Sequence, residues 1–179
     1  MKKFLLLLLP ALAFTACDNE DPIIENEEEV ITTLRYELTP VDGGAAVVFS
    51  FTDLDGEGGN DPVILSPTLA ADTEYQGQLS LLNETDGVED VNEEIEEEDD
   101  EHQVFYSSDV VTVVTTDTDG DGNPLGLTSR LTTGGSGTGS MTITLRHEPN
   151  KDAEGVSDGL IANAGGETDI EVQFNVVIE

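Results

Sequence analysis

The feature that most constrains this chain is a two-residue hydrophobic period that recurs along most of its length. Val30, Thr32, Leu34, Tyr36 and Leu38 alternate with Ile31, Thr33, Arg35 and Glu37. Val47, Phe49 and Phe51 continue the alternation after the turn formers Asp42-Gly43-Gly44, so the two runs predict a hairpin. Further strands are expected at Tyr75–Leu81, His102–Tyr106, Val110–Thr116, Leu127–Thr133 and Met141–His147. In the last strand Ile170, Val172, Phe174, Val176 and Ile178 share the inward face. Because successive side chains in a strand point to opposite faces, such alternation describes antiparallel sheets with one face buried and one solvated. About eight such strands predict an all-β antiparallel sandwich, two sheets packed face to face.

One segment departs from this period. From Glu84 to Glu101 carboxylates dominate, while Val88, Val91 and Ile95 fall three and four apart. That spacing predicts one short acidic helix from about Val88 to Glu96. The run Glu96-Glu97-Glu98-Asp99-Asp100-Glu101 then places like charges at the negative end of the helix, where they oppose its continuation.

The first residues follow different rules. Lys2 and Lys3 precede the short apolar run Phe4–Leu9, and Phe14-Thr15-Ala16 lead to Cys17, the sole cysteine. The apolar run is too short to span a bilayer and has the layout of a secretory leader. The segment resembles the lipobox of Gram-negative lipoproteins, although Phe14 stands where Leu or Val is usual. The resemblance implies cleavage after residue 16 and acylation of Cys17. The expected organisation is therefore a signal peptide over 1–16, an acidic tether over 17–29 and a sandwich domain over 30–179. Asp18-Asn19-Glu20-Asp21 resembles the acidic stretch that directs some lipoproteins to the outer face of the outer membrane. The expected location is thus the outer membrane, lipid-anchored, at the cell surface or the periplasmic face.

Charge narrows the set of partners. The chain carries 39 Asp and Glu against 6 Lys and Arg, a formal net charge of −33. Such an excess repels nucleic acid and favours cations or a basic partner. A lone cysteine excludes intrachain disulfides and thiolate-rich metal sites.

Three groupings carry the expected cation chemistry. Asp117, Asp119, Asp121 and Asn123, with Gly122 at the sixth place, match the first half of a calcium-binding loop, in which alternate oxygens wrap a hard cation. The twelfth position is Thr128, so the closing bidentate carboxylate is missing. Asp53, Asp55 and Asp61 form a second, less regular calcium candidate. His102 follows the acidic run and His147 ends a strand beside Glu148. If the strands lie together, these three, or Glu101 in place of Glu148, would offer Zn2+ or Cu2+ an open site. Each grouping has an ordinary structural counterpart: an Asp-Gly turn between strands, or strand-end histidines paired with acids.

No enzyme is expected. The chain lacks a Ser-centred nucleophile elbow and a His-Glu-x-x-His motif. Gly134–Gly139 lacks the lysine of a phosphate cradle and reads as a flexible turn. Residues 149–167 form a long Gly-, Asn- and Asp-rich connection of the kind that often binds ligands.

Four stretches carry a wider resemblance: Tyr75–Thr85 (YQGQLSLLNET), the acidic run into His102-Gln103, Leu145–Lys151 (LRHEPNK) and Gly165–Val172 (GGETDIEV). With the leader they resemble a family of small acidic bacterial lipoproteins of unknown role, often labelled as type 1 periplasmic-binding-fold proteins. That label implies a two-lobed α/β architecture, whereas the two-residue period implies the sandwich, which is the fold expected here. Two functions follow as expectations. One is a membrane-anchored module that captures divalent cations, accessory to an outer-membrane transporter. The other is a structural or adhesin-like surface lipoprotein with no specific metal ligand.

Overall fold

The computed structural model describes residues 29–56 and 58–179; the leader, Cys17 and the tether as far as residue 28 lie outside the described residues, as does Glu57. Along the chain come β1 (Thr33–Pro40), β2 (Val47–Thr52), β3 (Val63–Leu65), β4 (Thr68–Leu69), β5 (Glu74–Asn83) and β6 (Glu89–Asp90). The α-helix α1 (Val91–Glu97), the single one among the described residues, follows. Then come β7 (His102–Ser108), β8 (Val111–Thr115), β9 (Thr128–Thr133), β10 (Gly137–His147) and β11 (Glu167–Ile178).

Two sheets result, as the alternation demands. One has the order β3-β2-β1-β5-β9-β8, with β6 attached to the end of β5. The other has the order β4-β11-β10-β7. The expected hairpin forms with Leu38 opposite Val47 and Thr33 opposite Thr52. Every pairing is antiparallel except that of β4 with β11. The inward residues of both sheets merge into one core cluster. Phe49 of the first sheet meets Phe174 of the second edge-on, with ring centroids 5.5 Å apart. That geometry suits the ring quadrupoles and adds to what burial contributes.

The structure corrects two expectations of the sequence. The helix begins at Val91, not Val88, because Glu89 and Asp90 pair with Asn83 and Leu82, and the Asp90 side chain then accepts the Asn92 N–H as N-cap. Val88 is consequently exposed, while Val91 and Ile95 remain in the core. The second correction concerns the outer face of the second sheet, which is not solvated throughout. The connection before β11 folds over it, so that Phe105 packs with Val156 and Ala164 in a second small cluster. Gln103 donates from the same face to the Val156 carbonyl. That long connection therefore serves as a cover for the sheet.

Candidate metal centre

β7 begins with His102 and β10 ends with His147, and the antiparallel register sets these two residues directly opposite each other. Val104 opposite Leu145 is the next inward pair, and both belong to the core. The histidines thus continue the core face to the end of the sheet. Their rings stack with centroids 4.6 Å apart and planes 19° apart. Both are buried, His102 completely.

Burial disfavours a charged imidazole, and it holds the pKa of His102 below its usual value. The Glu98 carbonyl opposes that shift, and the neighbouring His147 reinforces it. His102 is therefore neutral at physiological pH, the form that binds metal. Its Nδ1 lies 3.1 Å from the Glu98 carbonyl oxygen. A carbonyl only accepts, so Nδ1 carries the proton and donates, leaving the lone pair on Nε2. Fixing the tautomer through a backbone carbonyl is the usual outer-shell arrangement of a metal-ligating histidine. Among the described residues His102 Nε2 has no hydrogen-bond partner.

Carboxylates surround the pair. Glu98 is the C-cap of α1, its N–H donating to the Glu94 carbonyl, and its side chain is exposed. One oxygen of Glu98 and one nitrogen from each histidine lie within 4.8 Å of one another. Glu101 Oε2 lies 3.8 Å from His147 Nε2, and Glu29 Oε1 lies 3.8 Å from His102 Nε2. Asp169 Oδ1 lies 3.9 Å from His147 Nδ1. A β-bulge places Asp169: Leu145 pairs with Ile170 and Arg146 with Thr168, so Asp169 is the extra residue. Bulges of this kind re-aim a side chain, and here the Asp169 side chain is fully buried. Crowding of acids has a measurable consequence at Glu29. Burial first, and then the charge and hydrogen bond of Glu94, push its pKa up to about 7, with Asp169 and Glu98 adding to the shift.

Of the residues expected to form this site, His102 and His147 are brought together and Glu101 stands beside them. Glu148 is not part of the grouping. It sits in the left-handed region at φ 48°, with its N–H donating to the Glu101 carbonyl. Glu98 takes the carboxylate place. Its spacing four residues before His102 is the signal that would have found it, since a helix-terminal turn returns residue i to residue i+4.

The two aspartate loops are built differently. Asp117 accepts the N–H groups of Gly126 and Thr128, one on each oxygen, at 2.9 and 3.0 Å. Asp119 Oδ1 accepts the N–H groups of Asp121 and Asn123, and Oδ2 accepts the Lys151 ammonium at 2.9 Å. Burial would raise the Asp119 pKa, but the Lys151 bond and these amides outweigh it and hold the carboxyl below its usual range. The same ammonium donates to the Asp99 carbonyl. Asp121 and Asn123 line a shallow polar depression beside Asp100 and Lys151. In the other loop Asp53 accepts the Gly56 N–H, and Asp55 accepts both the backbone and side-chain N–H of Asn60. The Asn60 backbone bond is the main cause of a lowered Asp55 pKa. Asp61 is exposed. Among the described residues the His102–His147–Glu98 grouping is the one set of three acidic or imidazole side chains converging tightly enough to hold a metal ion. Neither aspartate loop converges in that way.

The chain matches no protein-family model, no curated protein and no solved structure.

Proposed function

We propose that the protein is a lipid-anchored binding module that captures a divalent transition metal, Zn2+ or Cu2+, through Glu98, His102 and His147. The observation that supports this reading is the buried, stacked histidine pair, with the His102 lone pair held on Nε2 beside converging carboxylates. Neutral imidazole with carboxylate is a ligand set suited to zinc and copper and poorly suited to calcium, which takes oxygen. Ligands about 2.0–2.2 Å from a tetrahedral ion stand roughly 3.3–3.5 Å apart. Reaching that spacing from the 4.8 Å grouping requires the two stacked rings to tilt toward a common point as well as a rotamer change of the exposed Glu98. The acidic surface raises the local cation concentration and supplies the long-range attraction.

Anchoring rests on the leader and Cys17, which set the module on the outer membrane, where an adjoining transporter would receive the cation. Its action is capture and transfer, without a catalytic step. Calorimetry on the full chain in detergent, at neutral pH, tests the reading. Zinc and copper should each bind at one ion per chain, and Glu98→Gln should weaken zinc at least tenfold while the fold is kept. Absence of heat from both metals overturns the assignment.

A further inference from the structure

Glu98, His102 and His147 supply three ligands, and three protein ligands leave a tetrahedral ion one open position. We propose that Glu29 fills it, so that metal capture fastens the point where residues 1–28 join the sandwich; this deepens, and rests on, the metal-capture reading above. Glu29 Oε1 stands 3.8 Å from His102 Nε2, the nitrogen whose lone pair the Glu98 carbonyl bond leaves available. Two bonds of about 2.0–2.1 Å at a tetrahedral angle span roughly 3.3 Å, so toward His102 a movement of about half an ångström suffices, while Glu29, which stands outside the 4.8 Å grouping, must swing further to meet the ligands on Glu98 and His147. The Glu29 side chain is only 9% exposed, and it points inward although its residue belongs to no helix or strand. β1 begins four residues later, and Thr32 is the first described residue whose N–H joins the backbone ladder, donating to the Leu82 carbonyl. Glu29 therefore precedes the first ladder bond, on a segment that Ile31 packs against the core two residues later.

That side chain faces Glu94, Glu98 and Asp169 as well as His102. Three like charges around an inward carboxylate oppose its staying there, and a dication between them reverses the sign of the interaction. Four-coordinate sites closed by protein hold metal for structure or storage, whereas catalytic sites keep a position for water. A Glu29-closed centre is thus a trap, consistent with a module that carries its ion instead of using it for hydrolysis. It also gives occupancy a local readout, because the ion would tie the Glu29 side chain to the sandwich.

Zinc titration and hydrogen exchange on the full chain in detergent test this. In the wild type, saturating zinc should slow exchange of the Val30 and Ile31 amides at least tenfold. Glu29→Gln should lose that slowing and bind zinc at least tenfold more weakly, the loss typical even of an outer-shell partner. If Glu29→Gln binds as tightly as the wild type, or if zinc binds the wild type and leaves those amides unchanged, Glu29 is not a ligand and the three-residue centre stands without it. If the wild type binds no zinc, the metal-capture reading fails and this inference with it.

Discussion

Replacing Lys151 by Met measures how far this buried lysine holds three separate segments together. Its ammonium bonds Asp119 from the connection between β8 and β9, and the Asp99 carbonyl from the turn after α1. Lys151 itself lies on the connection that covers the second sheet. The side chains are 5% and 1% exposed, so the pair is shielded from solvent. Methionine keeps the apolar stem and removes the charge. Asp119 Oδ2 would then be buried without a donor and the half-buried Asp99 carbonyl would lose its ammonium, while Oδ1 keeps the Asp121 and Asn123 amides. Removing one partner of a buried pair costs about 3–5 kcal/mol, and the two surviving amide bonds place this case near 3 kcal/mol. For a domain of about 150 residues each kcal/mol lowers Tm by roughly 2–4 °C, so a fall of about 6–12 °C is expected. Urea unfolding should show a lower midpoint with an unchanged slope. Adding Asp119→Asn to Lys151→Met should recover part of the loss, because it removes the stranded charge. Calcium supplies a second readout. It should raise the midpoint of Lys151→Met, where the oxygens freed by the ammonium become available, and leave that of the wild type unchanged. A loss below about 1 kcal/mol, the level of an exposed ion pair, would refute the reasoning.

Gly77→Ala should destabilise the fold by about 2–4 kcal/mol in the same assay. An added Cβ would lie 2.6 Å from both Ser129 Oγ and Tyr36 Oη, and would displace the buried 2.7 Å hydrogen bond between them. In metal-free buffer Glu29 should make the fold weaken as pH rises. Its folded pKa of about 7 exceeds the ordinary 4.5, so its contribution is fully present below about pH 4.5 and is lost on approaching pH 7. Glu29→Gln should therefore be more stable than the wild type at pH 8 and gain nothing at pH 4, as read by thermal unfolding.

The long strands were legible because burial alone decides them. All five inward residues of β11, from Ile170 to Ile178, lie in the core as their alternation implies. The short strands were not. Val63, Ile64 and Leu65 in β3 are all exposed and show no period, and β4 exists only through its parallel pairing with Val177 and Ile178. Those elements are set by tertiary pairing, which local sequence does not encode. The histidines illustrate the same limit. β7 and β10 are joined by no hairpin turn that could fix their register, so the pairing of His102 with His147 depends on the assembled sheet. The bulge at Asp169 and the helix-terminal placement of Glu98 are likewise products of packing.

The calcium-like loop and the histidine pair differ in which cation the chain itself provides. Asp117–Asn123 carries the stronger sequence motif, yet Lys151 delivers an ammonium to Asp119, and backbone amides take the remaining oxygens of Asp117 and Asp119. At Asp119 the charge that a metal would neutralise is met from within by Lys151. Near the histidines the balance is opposite. Among the described residues Arg130 pairs with Glu74 and Lys151 with Asp119, and no lysine or arginine forms an ion pair with Glu29, Glu98 or Glu101. Arg146 adjoins His147 in sequence but donates to Thr168. Acids are thus gathered around two stacked imidazoles, with no basic side chain paired to the three glutamates. On the proposed reading a dication would relieve that repulsion where, among the described residues, two imidazole nitrogens and a carboxylate converge, and for that reason the weaker sequence motif would make the better metal site.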